Sequence, residues 1–174
     1  MQDGKQVKDM MVPAFDYPHV AQDASVRDAM AAIRKASENT GGRVRFRSVI
    51  VTGKDSRLVG VLSIKDLLKA IEPDYMRAKP KGFEGYAPDT DAGLVELMKN
   101  LFTEKCREEA GKKVSEAVNP VKATVNPGDS IAKAVYLMLH KDMTMLPVTE
   151  GDKVVGALRL IDVFQEVRDM VLNG

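Results

Sequence analysis

The chain has 174 residues, 44% hydrophobic and 29% charged, enough for one ordinary domain or two small ones with a buried core. Its 26 lysines and arginines nearly cancel 25 aspartates and glutamates, and the net charge of +1 excludes binding of nucleic acid or anionic lipid by bulk charge. The single cysteine, Cys106, excludes an intramolecular disulfide, while the polar opening MQDGKQVKDM and the lack of any run of about 18 apolar residues predict a soluble, cytoplasmic protein with no signal peptide or membrane span.

In chain order, VKDMMVPAFDYPHV (7–20) is a short proline-bearing segment that leads into ASVRDAMAAIRKA (24–36). There Val26, Ala29, Met30 and Ile33 recur at helical spacing behind a Ser25 cap. TGGRVRFRS (40–48) alternates Arg43, Arg45 and Arg47 with Val44 and Phe46, which predicts a strand with one basic face. Such a face fits an edge strand protected by charge, and is also compatible with a triphosphate, an acidic partner or nucleic acid. SVIVTGKDSRLVGV (48–61) has two apolar runs around a turn of Gly53, Lys54, Asp55 and Ser56, the pattern of a hairpin. VGVLSIKDLL (59–68) then turns from strand to helix.

Residues 72–111 begin as a loop with Pro73, Pro80, Gly82, Gly85 and Pro88, and with Tyr75, Phe83 and Tyr86 between them. DAGLVELMKNLFTEKCREEAG (91–111) predicts one helix with a stripe of Leu94, Leu97, Met98, Leu101 and Phe102, stopped at Gly111. That stripe covers either the body of the same module or a partner. The next segments repeat the earlier ones. VSEAVNPVKATV (114–125) carries a proline, and DSIAKAVYLMLHK (129–141) is a helix with an Asp129 cap and Ile131, Ala134, Val135 and Met138 in the places of Val26, Ala29, Met30 and Ile33. MLPVTEGDKVVGAL (145–158) is a second hairpin turning at Gly151 and Asp152, and VGALRLIDVF (155–164) echoes VGVLSIKDLL, with Gly156 and Asp162 matching Gly60 and Asp66. His19 and His140 lack metal-ligand spacing, Cys106 has no neighbouring base in sequence, and the ten methionines read as adaptable core filling.

This doubled unit, with Gly-apolar-apolar-Ser-x-x-Asp closing the first copy, resembles a tandem pair of cystathionine-β-synthase (CBS) domains over residues 7–71 and 114–172. The resemblance implies an α/β fold of two strand-helix-strand-strand-helix repeats, packed sheet to sheet about a pseudo-twofold axis, with a long helical linker insertion. On that pattern residues 1–71 form the first repeat, 72–113 the linker with its amphipathic helix, and 114–174 the second repeat. It further implies a homodimer that senses an adenosine-containing ligand and signals to an effector protein.

Read from the residues alone, Ser63 is a helix N-cap and Asp66 its third residue, a capping box that needs no ligand. The same atoms suit a nucleotide, because an aspartate accepts two hydrogen bonds from a ribose diol and a helix start accommodates phosphate. The resemblance places ligand contacts at Ser63 and Asp66 in the first copy and at Asp162 in the second. Arg159 stands where the family has serine or threonine, either clamping a phosphate with its planar fork or filling a dead pocket. The family template sets Asp162 and Arg159 opposite Val12, Pro13, Ala14 and Phe46, and sets Ser63 and Asp66 opposite Val118, Asn119, Thr144 and Met145. The expectation is a regulatory module acting in trans on AMP, ADP, ATP or S-adenosylmethionine, with no catalytic cofactor. The alternative is a ligand-free dimeric scaffold with degenerate pockets. An enzyme fares worst, since no nucleophile with its base, metal set or phosphate-cradling glycine loop is present, and nucleic-acid binding rests on three arginines.

Overall fold

A computed structural model describes residues 4–38, 45–77, 96 and 99–173. The β-branched run Ser-Val-Ile-Val-Thr forms β3 (Ser48–Thr52), which pairs antiparallel with β4 (Leu58–Ser63). The turn between them is a short 3-10 segment, Lys54–Ser56, in which Asp55 (φ 55°) and Ser56 (φ 61°) adopt left-handed conformations. β2 (His19–Ala21) joins parallel to β3, and α1 (Val26–Ser37) makes the crossover between them. In the second repeat β5 (Met145–Glu150) and β6 (Lys153–Arg159) form the matching hairpin. Its two-residue turn puts Gly151 at φ +63°, a conformation that favours glycine.

The two repeats exchange strands. β1 (Val12–Pro13) belongs by sequence to the first repeat but pairs antiparallel with β6, with Val12 opposite Ala157 and Pro13 opposite Gly156. In return, Asn119, on the segment entering the second repeat, bridges Val61 of β4. The sheets are therefore β1-β6-β5 and β2-β3-β4. The exchange dictates the two glycines that flank it. A Cβ on Gly60 would lie 2.4 Å from Val118 Cγ2 and 2.5 Å from the Asn119 carbonyl oxygen, and one on Gly156 would lie 2.6 Å from the Val12 carbonyl oxygen.

Core packing follows the same symmetry. Val26, Ala29 and Ile33 on α1 are buried over the first hairpin, and Ile131, Ala134 and Met138 on α5 (Ile131–Lys141) are buried over the second. A third cluster, with Tyr17, Phe46 and Ile50 from one repeat and Met145, Val154 and Ala157 from the other, lies between the sheets. The hairpin tips meet as well, where Leu58 N–H donates to the Asp152 carbonyl (2.9 Å) and Arg57 pairs with Asp152 (2.8 Å).

Several local expectations change. The cap of α5 is Ser130, whose hydroxyl accepts the Lys133 N–H; Asp129 instead accepts from the Asn126 N–H and from the Lys133 ammonium, both at 2.8 Å, closing the preceding turn. Residues 45–47 precede β3 and are not part of a strand; Arg45 and Arg47 are exposed, and Phe46 is buried. Arg43 lies outside the described residues. Where a loop was expected after Pro73, Asp74–Arg77 form a four-residue helix, α3, because proline suits the position just ahead of a helical turn and its carbonyl accepts the Met76 N–H. The linker helix α4 (Lys99–Glu109) holds Leu101 and Phe102, each 43% exposed, while Leu94, Leu97, Met98, Pro80, Gly82, Phe83, Gly85, Tyr86 and Pro88 lie outside the described residues. Among the described residues no helix is long and apolar enough to cross a membrane.

Because backbone sits against both glycines, Gly60→Ala should cost about 1–3 kcal/mol of overpacking, lowering Tm by roughly 2–4 °C per kcal/mol in a chain of this size. Gly53→Ala serves as the control, since its Cβ would meet nothing nearer than Val59 Cγ2 at 3.4 Å, an ordinary van der Waals contact. Equal thermal denaturation midpoints for the two variants would contradict the strand-exchange account.

Candidate functional site

β4 delivers Ser63 to the start of α2 (Ile64–Ala70) in an extended conformation, as an N-cap requires. Its hydroxyl oxygen accepts the Asp66 N–H (3.1 Å), while the Ser63 N–H (2.8 Å) and O–H (2.5 Å) both donate to Asp66 Oδ2. The capping box is therefore formed. One carboxylate oxygen closes it, and Oδ1 has no hydrogen-bond partner among the described residues. Asp66 lines a cleft of about 350 Å³ together with Asn119 and Val26. Four cations also line it: Lys69, Arg77, Lys112 and Lys113.

Of the residues expected opposite Asp66, Asn119 shares its cleft and Val118 packs beside Gly60. Thr144 and Met145 do not line it. The Thr144 carbonyl accepts the Leu160 N–H (2.9 Å) at the entry to α6 (Leu160–Asn173), and Met145, 6% exposed, belongs to the inter-sheet core.

The second repeat replaces the capping box with an ion pair of the same spacing. Arg159 donates through Nε to Asp162 Oδ2 (2.6 Å) and through Nη2 to Oδ1 (2.5 Å), so both carboxylate oxygens are engaged. The Arg159 guanidinium lies 5.6 Å from the centre of the Phe46 ring, within cation–π range. Phe46 stands edge-on to Tyr17, 5.0 Å between centroids, and the Tyr17 hydroxyl is hydrogen-bonded to Ser48 Oγ at 2.7 Å. Burial pushes the Tyr17 phenol above its ordinary range. Val12, Pro13 and Phe46 line a cleft of about 730 Å³ with Tyr17, His19 and Arg45, whereas Ala14 packs into the inter-sheet cluster. Arg159 and Asp162 border this cleft through Phe46 and do not line it.

Tyr17 and the cations around Asp66 escaped the sequence reading. Lys69 was accessible to it, being three residues after Asp66 and so on the same helical face. Lys112 and Lys113 were not, because they reach the cleft through a long-range contact in which the Val26 N–H donates to the Lys112 carbonyl (2.8 Å). Among the described residues no group of three or more His, Cys, Asp or Glu is placed to hold a metal ion. His19 and His140 are each hydrogen-bonded through Nδ1 to a nearby backbone carbonyl, of Tyr17 and Tyr136.

Removing the cap acceptor isolates its contribution. Ser63→Ala should lower stability by about 1 kcal/mol, and Ser63→Thr should recover most of it. Chemical denaturation of the two variants checks this; equal losses would show that the hydroxyl does not cap α2.

The CBS domain profile matches residues 7–73 and 114–169, which span both repeats. A search of curated protein sequences finds no match. Among solved structures, a CBS domain-containing protein from Kribbella flavida DSM 17836 is similar with a TM-score of 0.68 at 15% identity, over 94% of this chain and 98% of that one. CBSX2 from Arabidopsis thaliana, a CBS-pair protein, gives 0.65 at 21% identity over 98% and 99%. CBSX2 in complex with AMP gives 0.61 at 22% over 97% and 99%. Likeness at these identities is likeness of fold. With two matching profiles, a strand-exchanged pair of α/β repeats and the Gly60–Asp66 and Gly156–Asp162 segments in equivalent places, the chain belongs to the CBS domain family.

Proposed function

We propose that the chain is a regulatory module that binds an adenosine-containing nucleotide between its two repeats and passes the occupied state to an effector protein in trans. The observation that carries this reading is the Asp66 cleft, a concave space bounded by both repeats and lined by an aspartate whose capping box engages only one carboxylate oxygen. A volume of about 350 Å³ lies within the range of small-molecule sites. AMP, ADP, ATP and S-adenosylmethionine are the candidates, and the AMP complex of CBSX2 supports the class. The reading includes no catalytic step and no catalytic cofactor.

At the second repeat's aspartate a ligand must compete with an internal partner. Asp162 is held bidentately, so Arg159 has to release it before either side chain takes a ribose or a phosphate. This observation favours a weaker second site, and it is also what a scaffold with degenerate pockets would require.

The reading includes a homodimer. Ile161, Phe164, Val167, Met170 and Val171 on α6 are between 38% and 74% exposed, and their three- and four-residue spacing puts them along one side of the helix. A second copy burying this stripe explains why the second repeat ends on an apolar surface. Phe164→Glu should convert the dimer to a monomer in sedimentation velocity, with the thermal midpoint little changed. A wild-type chain that sediments as a monomer at every concentration would remove the dimer from the proposal.

The binding claim is tested by thermal shift against the four candidates. Ligand at a hundredfold excess over its Kd adds roughly 2.7 kcal/mol, or roughly 5–10 °C in Tm for this chain length. Asp66→Ala should lose most of the shift, and Asp162→Ala should retain it. No shift with any candidate would favour the scaffold.

A further inference from the structure

The inter-repeat segment supplies charge to the Asp66 cleft. Lys69, on α2, is joined there by Arg77, Lys112 and Lys113, so that four cations face two carboxylates, Asp66 and Glu116. These cations come from three separate stretches of chain, and hydrogen bonding fixes the stretch that carries the two lysines. The Val26 N–H donates to the Lys112 carbonyl (2.8 Å) and the Arg27 N–H to the Ala110 carbonyl (2.9 Å), while Ser25 and Lys113 form a bridge. Behind them lies an anion of the protein's own. Glu109, whose side chain is 15% exposed, is hydrogen-bonded to the Lys112 ammonium and is 3.7 Å from Arg77. The Lys112 hydrogen bond, with Arg77 and Lys105 nearby, holds the Glu109 carboxyl below the usual carboxylate range.

We infer that the Asp66 cleft selects adenosine polyphosphates over the monophosphate, with Lys112, Lys113 and Arg77 taking the phosphates beyond the first; the inference rests on the reading of this cleft as the nucleotide site. A concave basic wall concentrates field on an anion inside it, and charge-assisted hydrogen bonds to phosphate oxygens are roughly twice as strong as neutral ones. Asp66 lines the same cleft as these cations. A ligand whose diol reaches the Asp66 carboxylate has these cations within the same cleft for its phosphates. A neutral or singly phosphorylated adenosine leaves Lys112 on Glu109, and leaves Arg77 on Glu109, Glu72 (3.8 Å) and Asp74 (3.5 Å). A polyphosphate displaces Glu109 from Lys112 and competes with all three carboxylates for Arg77.

The test is a titration of adenosine, AMP, ADP and ATP in magnesium-free buffer, by calorimetry, on the wild type, on Lys112→Gln/Lys113→Gln, on Lys112→Arg/Lys113→Arg and on the remote surface variant Lys141→Gln. Affinity in the wild type should rise along the series, with ATP at least about tenfold tighter than AMP, as one added charge-assisted contact supplies. The glutamine pair should reduce that ratio to about threefold or less, at little cost to AMP. The arginine pair and Lys141→Gln should keep it. Glu109→Gln should tighten ATP binding more than AMP binding. AMP and ATP of equal affinity in the wild type, or a glutamine pair that weakens both alike, would overturn the selectivity while leaving the nucleotide site standing. Binding of none of the four would remove the nucleotide reading, and the selectivity with it.

Discussion

The architecture depends on the close approach of backbone at two glycines. Gly60 and Gly156 each admit the entering strand of the opposite repeat to less than 3 Å from where a side chain would begin. Through that contact β1 is donated to β6, and Asn119 to β4. Neither repeat completes its own sheet. The buried Phe46, Met145 and Ala157 can meet only because the sheets are held in this relation. The Asp66 cleft has that origin, since it is bounded by the start of α2 in the first repeat and by the segment entering the second.

Equal positions have acquired different chemistry. Ser63 and Asp66 form a neutral-to-anionic capping box that satisfies the first turn of α2 and engages one carboxylate oxygen of a residue that lines the cleft. Arg159 and Asp162, three residues apart in the same way, satisfy each other. Arginine cannot accept an N–H, so the start of α6 has lost its side-chain cap and gained a partly buried ion pair beneath Phe46. A partly buried pair of this kind offsets desolvation with attraction, and exchanging it for an external ligand requires that ligand to replace both bonds. The two repeats of one molecule therefore differ in what occupies the aspartate.

The doubled grammar was legible because it is local. Helical spacing at Val26–Ile33 and Ile131–Met138, glycine turns at Gly53 and Gly151 and the echo around Gly60 and Gly156 all lie within short windows, and the fold followed from them. The cap of α5 moved by one residue because Asp129 and Ser130 are both capable acceptors, and the choice went to the hydroxyl once Asp129 had found Asn126 and Lys133. The arginine alternation at 43–47 suggested strand, yet the ladder begins at Ser48, opposite Ser63. In the candidate site, Asp66 and Asn119, set opposite each other by the family template, line one cleft, while Thr144 and Met145 do not line it because one is drawn into a turn at α6 and the other into the core. Two of the cations were invisible for a different reason. Lys112 and Lys113 stand more than 40 residues from Asp66 and meet it only through the tertiary contact with the first turn of α1.

Hydrogen–deuterium exchange with and without ATP tests the central claim, that nucleotide occupies the Asp66 cleft, most directly, because it reports where binding is felt on the folded chain. The account predicts added protection at residues 61–69 and 110–119 that exceeds any at 11–17 and 155–163. Protection confined to the Val12–Tyr17 and Arg159 side would contradict it, as would a saturating ligand that protects neither.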